Sequence, residues 1–450
     1  MDSLLCISPI DGRYREKTKE INNYFSEFAL IKYRVIVEIK WLIFLSNEKI
    51  INHKLKKKDI DNLNNIITTF SIEEAEKVKE HEKITNHDVK AVEYYLQDKL
   101  KELELDKFIP YIHFTLTSED INNTSYNLMI KDCLDNIYYK NINNLIDLLD
   151  NLSVKYKSIG MLSHTHGQAA TPTTVGKEFK IFSYRIKSIL TQLESIKLRS
   201  KFSGAVGNYN THIVTIPDVD WIDVTRRFVN SLDLDYNPLT TQIESHDFVC
   251  LLLSEIKIIN NIIKDLNSDL WLYISRGYFI ETMKSGEVGS SVMPHKVNPI
   301  NQENSMANIE ISNSIIDALV NNLSISRMQR DLSDSSKMRN LGVIFCHTII
   351  SITETIKGLN KINVNEKLLS EELENHYEVL SEAIQTVLRN NGYVDAYERL
   401  KKLSRGKVIT KDDIRKFIND LDINPDDKKR LMNLTPSTYL GLAEEIVLNN

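Results

Sequence analysis

The sequence predicts an all-α protein of three helical domains built around a central bundle of long helices. Glycine and proline number only 14 and 9 in 450 residues, so turns are few and the elements between them must be long. Apolar residues recur at alternating steps of three and four over several stretches, the period of a helix that buries one face. Segments with the alternating period of a strand are scarce.

Residues 1–112 read as an N-terminal domain of shorter helices separated by polar loops. Residues 113–364 form the long-helix domain. There, Leu134, Tyr138, Ile142, Leu145, Leu149 and Leu152 make one stripe, with one extra step of four. Phe179, Phe182, Ile186, Ile189, Leu193 and Ile196 make a second, and Leu252, Ile256, Ile259, Ile263, Leu266 and Leu270 a third. Single helices cannot bury such stripes, so they pack into a bundle, and the length of the stripes suits association between subunits. Segment 204–216, with its Gly-x-x-Gly and β-branched run, is the one place where non-helical structure is expected. Residues 365–450 form a C-terminal domain of shorter helices, with turns at Asn391-Gly392, Gly406, Asn424-Pro425 and Thr435-Pro436.

Composition narrows the class of function. Hydrophobic residues make up 42% and charged residues 26%, as in a soluble globular protein. The formal net charge of -6 gives no basic excess for nucleic acid, and the short lysine run at 54–58 reads as a solvated helix face. The most apolar stretch, 249–263, is broken by Glu255, Lys257 and two asparagines and is too polar to span a membrane. Residues 1–13 do not resemble a signal peptide. Cys6, Cys133, Cys250 and Cys346 are far apart among apolar neighbours, which suits buried, reduced thiols in a cytoplasmic protein.

Several short segments carry polar residues that helix packing does not require. They are Ser8-Pro9-Ile10-Asp11-Gly12-Arg13-Tyr14, Thr85-Asn86-His87-Asp88-Val89-Lys90, Thr117-Ser118-Glu119-Asp120, Ser163-His164-Thr165-His166-Gly167-Gln168 and Arg330-Asp331-Leu332-Ser333-Asp334-Ser335, continuing to Arg339. Each has a plain structural reading. Asp11-Gly12 is a turn, and Thr85 or Asn86 is an N-cap with Asp88 in the first turn. Ser118 is a cap with Asp120 behind it, and 330–339 is a salt-bridged surface. His164 and His166 lack a third ligand at suitable spacing for a metal. The exception is 289–299, Gly-Ser-Ser-Val-Met-Pro-His-Lys-Val-Asn-Pro, which has no packing role.

That stretch resembles the signature of the aspartase/fumarase superfamily, whose members eliminate fumarate from a succinyl group by breaking a C–N or C–O bond. His295 after the proline, the 8–14 segment, Asn86-His87-Asp88-Val89-Lys90-Ala91-Val92-Glu93-Tyr94, Thr165-His166-Gly167-Gln168, the 330–335 segment and Tyr439-Leu440-Gly441 look like its adenylosuccinate lyase branch, in the bacterial-type form. The likeness spans essentially the whole chain. Ala169 stands where a proline commonly follows, and 302–306 departs from a more acidic version.

The resemblance implies β-elimination of fumarate from adenylosuccinate and from succinylaminoimidazole-carboxamide ribotide, in purine nucleotide biosynthesis, with no cofactor and no metal. It implies Ser290 as general base and His166 as general acid, the latter from a separate helix of another subunit. Such a reaction puts negative charge on a carboxylate as the proton leaves, so cations and N–H donors must surround it. Lys296 and Asn298 follow Ser290 closely enough to supply them and to favour its alkoxide. An imidazole titrates near neutrality, which suits an acid. By the same resemblance Arg13, Tyr14, Arg330, Ser335 and Arg339 hold the phosphate and sugar side, with Asn86, His87, Asp88, Thr117, Ser118, Thr165, Gln242 and Ser291 lining the rest. His87 keeps its helix-cap reading beside this one. The family further implies a homotetramer with shared active sites, acting on small nucleotides rather than on nucleic acid or membrane. A relative acting on argininosuccinate or a smaller acid, and a non-catalytic protein on the same fold, are the competing readings. The nucleotide-side arginines and the competent residue at every catalytic position count against them.

Overall fold

The computed structural model describes residues 3–282, 293, 297–404 and 409–450. Helices dominate it, and its described strands are three two-stranded pairings. No helix among the described residues is long and apolar enough to cross a membrane. The chain divides into two compact units. One comprises Met1–Ile142, Ile189–Asn261 and Ala307–Ile352, and the other Asn143–Ser188, Ile262–Met306 and Thr353–Asn450.

The three apolar stripes become helices. Leu252, Ile256, Ile259, Ile263, Leu266 and Leu270 are all buried along the Asp247–Ser275 helix. In the Val175–Ser195 helix Phe179, Phe182, Ile186 and Leu193 are buried as expected, and Leu190 is buried in place of Ile189, which is half-buried. The extra step of four in the remaining stripe has a structural cause. The Ser118–Cys133 and Tyr139–Lys155 helices are joined by a π-helical turn, Leu134–Tyr138. A π turn inserts one residue, and the apolar spacing lengthens by one to keep the stripe on its face.

Asn260, inside the most apolar stretch, and Asn267, just beyond it, are buried and make internal polar contacts, whereas Asn261 is exposed. In the first unit Asn260 Nδ2 donates to Asn313 Oδ1 at 3.0 Å and to Thr348 Oγ1 at 3.3 Å, beside Ser312. In the second unit Asn267 Nδ2 donates to Thr355 Oγ1 at 2.8 Å and to Ser305 Oγ at 3.2 Å. The two sets are seven residues apart on each helix, forward along Asp247–Ser275 and Leu341–Leu359 and backward along Ile300–Val320. Buried polar residues at a heptad spacing fix the register in which helices pack.

The first unit also buries Trp41 against Phe202 and Phe228, at ring distances of 5.0 and 4.9 Å. In the second unit Leu162, Leu373, Tyr377, Leu380, Ile384, Leu388, Ile414, Ile418 and Leu431 share one core, so the C-terminal helices pack on a residue of the 160–174 hairpin. Cys133, Cys250 and Cys346 are buried as expected, whereas Cys6 is only half-buried, and burial pushes the Cys346 thiol up to about 12.

Two local expectations fail. Segment 204–216 contains a helix, Asn210–Thr215, despite its β-branched residues. Tertiary contact overrides propensity there: His212 is fully buried against Trp221 at 4.9 Å, and the Trp221 indole N–H donates to Ile216 O at 3.0 Å. The main non-helical element is instead an antiparallel hairpin, β1 (Gly160–Thr165) with β2 (Gln168–Thr174). A register shift at Leu162/Ser163 leaves Thr171 unpaired beside Pro172, where a residue without an N–H is tolerated.

Gln302 is fully buried with neither amide atom hydrogen-bonded. A buried, unsatisfied amide costs roughly 1–3 kcal/mol. Gln302→Met is therefore expected to raise the thermal midpoint of the purified protein. A lower midpoint would show that the amide has a partner in solution.

Candidate active site

A site with convergent polar chemistry lies in the first unit. It is a cavity of about 630 Å³ lined by Asn86, His87, Asp88, Thr117, Ser118, Gln242, Arg330, Ser335 and Arg339, together with Glu82, Glu119, Asn122, Asp331 and Leu332. That volume is of the size that holds small molecules. A smaller cavity, about 180 Å³ beside Lys131, Asp135, Tyr139 and Glu194, shares none of these residues.

Two helix starts and one loop build the walls. The Ile72–Thr85 helix ends at Asn86, whose left-handed conformation (φ 51°) turns the chain. His87 then caps the Asp88–Glu102 helix, its Nδ1 accepting from Lys90 N at 3.2 Å. The cap is thus one residue beyond the position expected, and its imidazole is both cap and cavity lining. Thr117, not Ser118, caps the Ser118–Cys133 helix in a capping box with Asp120, which accepts from Thr117 N at 2.9 Å. Ser118 is therefore the first helical residue.

The cationic side chains are held by carboxylates. Arg330 Nη1 donates to Glu119 Oε2 at 2.7 Å. Arg339 pairs with Glu27 and lies 3.6 Å from Asp88. Asp88 is held from beneath by Arg34, buried on the Glu27–Asn47 helix, whose Nη2 donates to Asp88 Oδ2 at 2.6 Å and whose Nε donates to Asn122 at 2.9 Å. Burial works against the Asp88 charge, but the Arg34 guanidinium outweighs it and holds the carboxyl below its ordinary range. Burial pushes Glu119 the other way, upward, against the pull of Arg330 and His246.

The remaining candidates lie elsewhere. Arg13 and Tyr14 are in a turn closed by Gly12 N to Ser8 O at 3.1 Å and Tyr14 N to Pro9 O at 2.8 Å, and do not line the cavity. Thr165 and His166 belong to the second unit, in the β1–β2 hairpin, so His166 is on a turn and not on a helix. Thr165 pairs with Gln168, leaving His166 and Gly167 as a two-residue loop, and both have positive φ, 53° and 73°. That is the requirement of a type I′ turn, and it leaves the imidazole exposed at the tip. Ser290, Ser291, Lys296 and His295 lie outside the described residues; Asn298 is half-buried, and its carbonyl accepts from Ile300 N at 2.8 Å.

Sequence reasoning missed Arg34, Glu119 and Asn122 as parts of the site. One signal was available for Arg34: it and Glu38 are a charged i, i+4 pair on a helix face that is otherwise apolar. For a metal, the geometric candidates among the described residues are Glu119, His246 and Asp334, whose ligand atoms lie within 4.8 Å of one another. The Arg330 guanidinium against Glu119 makes this an ion-pair cluster rather than a cation site.

Comparison with known proteins agrees with this architecture. The fumarate lyase from Mesorhizobium sp. BNC1 superposes with a TM-score of 0.76 at 19% identity, over 96% of this chain and 97% of that one. The 3-carboxy-cis,cis-muconate lactonizing enzyme from Pseudomonas putida does so with a TM-score of 0.73 at 16% identity, over 96% of each chain. At those identities the likeness is one of fold. Residues 12–311 match the family model described as Lyase, which makes the class of protein a lyase. Residues 326–440 match the model Adenylosuccinate lyase C-terminal. The adenylosuccinate lyases of Buchnera aphidicola subsp. Schizaphis graminum and Escherichia coli K12 are 48% and 43% identical, each over 99% of both chains. The chain belongs to the adenylosuccinate lyase family of the aspartase/fumarase superfamily.

Proposed function

We propose that the chain eliminates fumarate from adenylosuccinate, giving AMP, and from succinylaminoimidazole-carboxamide ribotide, giving AICAR. The observation that carries this reading is the single cavity that gathers Asn86, His87, Asp88, Thr117, Ser118, Gln242, Arg330, Ser335 and Arg339 in a chain akin to adenylosuccinate lyases along its whole length. Its guanidinium groups suit a phosphate, and its hydroxyls and amides suit a sugar and a base.

In this reading Ser290 removes the proton from the carbon beside one succinyl carboxylate. Negative charge spreads into that carboxylate, where Lys296, Asn298 and Ser291 stabilise it. His166 protonates the departing nitrogen, and the C–N bond breaks to release fumarate. Thr165 orients that end of the substrate, and Arg13 and Tyr14 complete the phosphate side. The residues come from segments distant in sequence, which suits a homotetramer whose sites are shared between subunits. The composition suits the cytoplasm, and the three-part division at 112 and 364 assigns the signature loop to the central domain.

Adenylosuccinate is expected to disappear, with equimolar fumarate and AMP, when the purified protein is added. Turnover of argininosuccinate instead, or of no superfamily substrate, would sink the proposal.

A further inference from the structure

We propose that His246 is a positioning residue of this site: its buried imidazolium holds the carboxylates of Glu119 and Asp334 together and so leaves Arg330 charge to offer an anionic ligand. The inference rests on the functional reading only in taking Arg330 as a phosphate contact.

His246 occupies the N-cap position of the Asp247–Ser275 helix, with its carbonyl accepting from Cys250 N at 2.9 Å. Its φ of 60° is left-handed, an uncommon conformation for a residue with a side chain. The ring is 4% exposed as a residue and meets charge from three directions. Nε2 lies 3.5 Å from Asp334 Oδ2, and Nδ1 lies 4.0 Å from Glu244 Oε2. Glu119, from the Ser118–Cys133 helix, completes the group within 4.8 Å. Arg330 Nη1 donates to the same Glu119, at 2.7 Å.

The charge balance makes the ring matter. Glu119, Glu244 and Asp334 are buried at 4%, 2% and 7% exposure, and Arg330 alone cannot balance three carboxylates. Glu244 is held by neutral donors, Asn237 Nδ2 at 2.8 Å and the His246 backbone N–H at 2.7 Å, but Asp334 and Glu119 need compensating charge where they are buried, and His246 is the group placed to supply a second cation beside Arg330. Burial opposes the charge on His246, but the Asp334 hydrogen bond and the Glu244 and Glu119 carboxylates prevail and raise its pKa. With the imidazolium present, Glu119 is shared between two cations and its hold on Arg330 weakens. Without it, Glu119 competes with the ligand for that guanidinium. Asp334 also accepts from Ser335 N at 2.7 Å, so the same ring steadies the segment that carries Ser335.

The sign of the pH effect follows. A raised histidine pKa keeps the cation at lower pH and loses it as pH rises through the raised value, so anion affinity falls with rising pH. Sulfate is the suitable probe, because its charge is constant where phosphate titrates. Its binding to the full-length assembled protein would be measured by calorimetry at fixed ionic strength over a range of pH rising through neutrality. Wild-type affinity is expected to fall about tenfold across that range. His246→Gln should bind at the weak, high-pH level throughout, and adding Glu119→Gln should restore affinity, a rescue that a purely structural role would not give. A wild-type profile that is flat overturns the proposal without any variant having to fold. So does a pH dependence that survives in His246→Gln and vanishes in His87→Gln. The readout does not involve turnover, so failure of the protein to cleave adenylosuccinate would sink the functional reading and leave this result standing.

Discussion

His166→Asn is expected to lower the rate of fumarate release by about 10²–10⁴-fold, the usual worth of a positioned general acid, while leaving the fold and nucleotide affinity in place. Asparagine is the informative replacement because of where His166 sits. The residue is the first of two in a tight hairpin loop, with φ at 53°, followed by Gly167 at 73°. Asn-Gly is the favoured pair for such a loop, whereas alanine would add the cost of a left-handed backbone. The asparagine variant therefore removes the imidazole and keeps, or improves, the turn. If the histidine served only the hairpin, His166→Asn would be as active as wild type and at least as stable. Single-turnover assays with adenylosuccinate, alongside AMP binding by calorimetry, separate these outcomes. Ser290→Ala should show the same split between lost turnover and retained AMP binding. Full activity in either variant removes that residue from the mechanism.

Most of the helical architecture was legible because its signal is local. The Leu252–Leu270 positions obey helical spacing and are buried as expected. Even the irregular step in the Leu134–Leu152 stripe was visible, although its meaning as a π turn needed the backbone. The hairpin was not legible. Its strands contain Ser163, His164, Gln168 and Thr171 and a proline, and Leu162 is buried only because the distant C-terminal helices cover it. Motifs located the cavity residues, since each motif marks a helix start or a loop. The partners of those residues were hidden for a physical reason. Glu119 matters through Arg330, 211 positions away, and Arg34 through Asp88, 54 positions away. Nothing local distinguishes a carboxylate in a first helical turn, where it favours the helix dipole, from one that also holds a guanidinium.

One such hidden partner predicts a large effect on stability. Asp120 and Lys201 form an ion pair at 2.5 Å in which both side chains are fully buried. Breaking a buried pair by removing one member costs roughly 3–5 kcal/mol, because the survivor is left charged and desolvated. The two members are not equivalent here. Asp120 also accepts backbone N–H groups from Thr117 at 2.9 Å, Ser203 at 3.0 Å and Gly204 at 3.1 Å. In Lys201→Met the carboxylate would keep those donors, and the apolar side chain, one atom shorter than lysine's, would fill most of the space. In Asp120→Ala the ammonium would retain only Gly204 O, at 2.7 Å, and three backbone donors would be stranded with it. Asp120→Ala is therefore expected to fall at or beyond the upper end of that range, and Lys201→Met well below it. Denaturant midpoints compared at one protein concentration would show the difference, since subunit association otherwise shifts them. Equal losses would mean that the salt bridge alone, and not the backbone it organises, determines the cost. The same carboxylate fixes Thr117 at the cavity wall, so an Asp120→Ala protein that does fold should also bind AMP more weakly than Lys201→Met. That ordering ties the buried pair to the site through the helix cap they share.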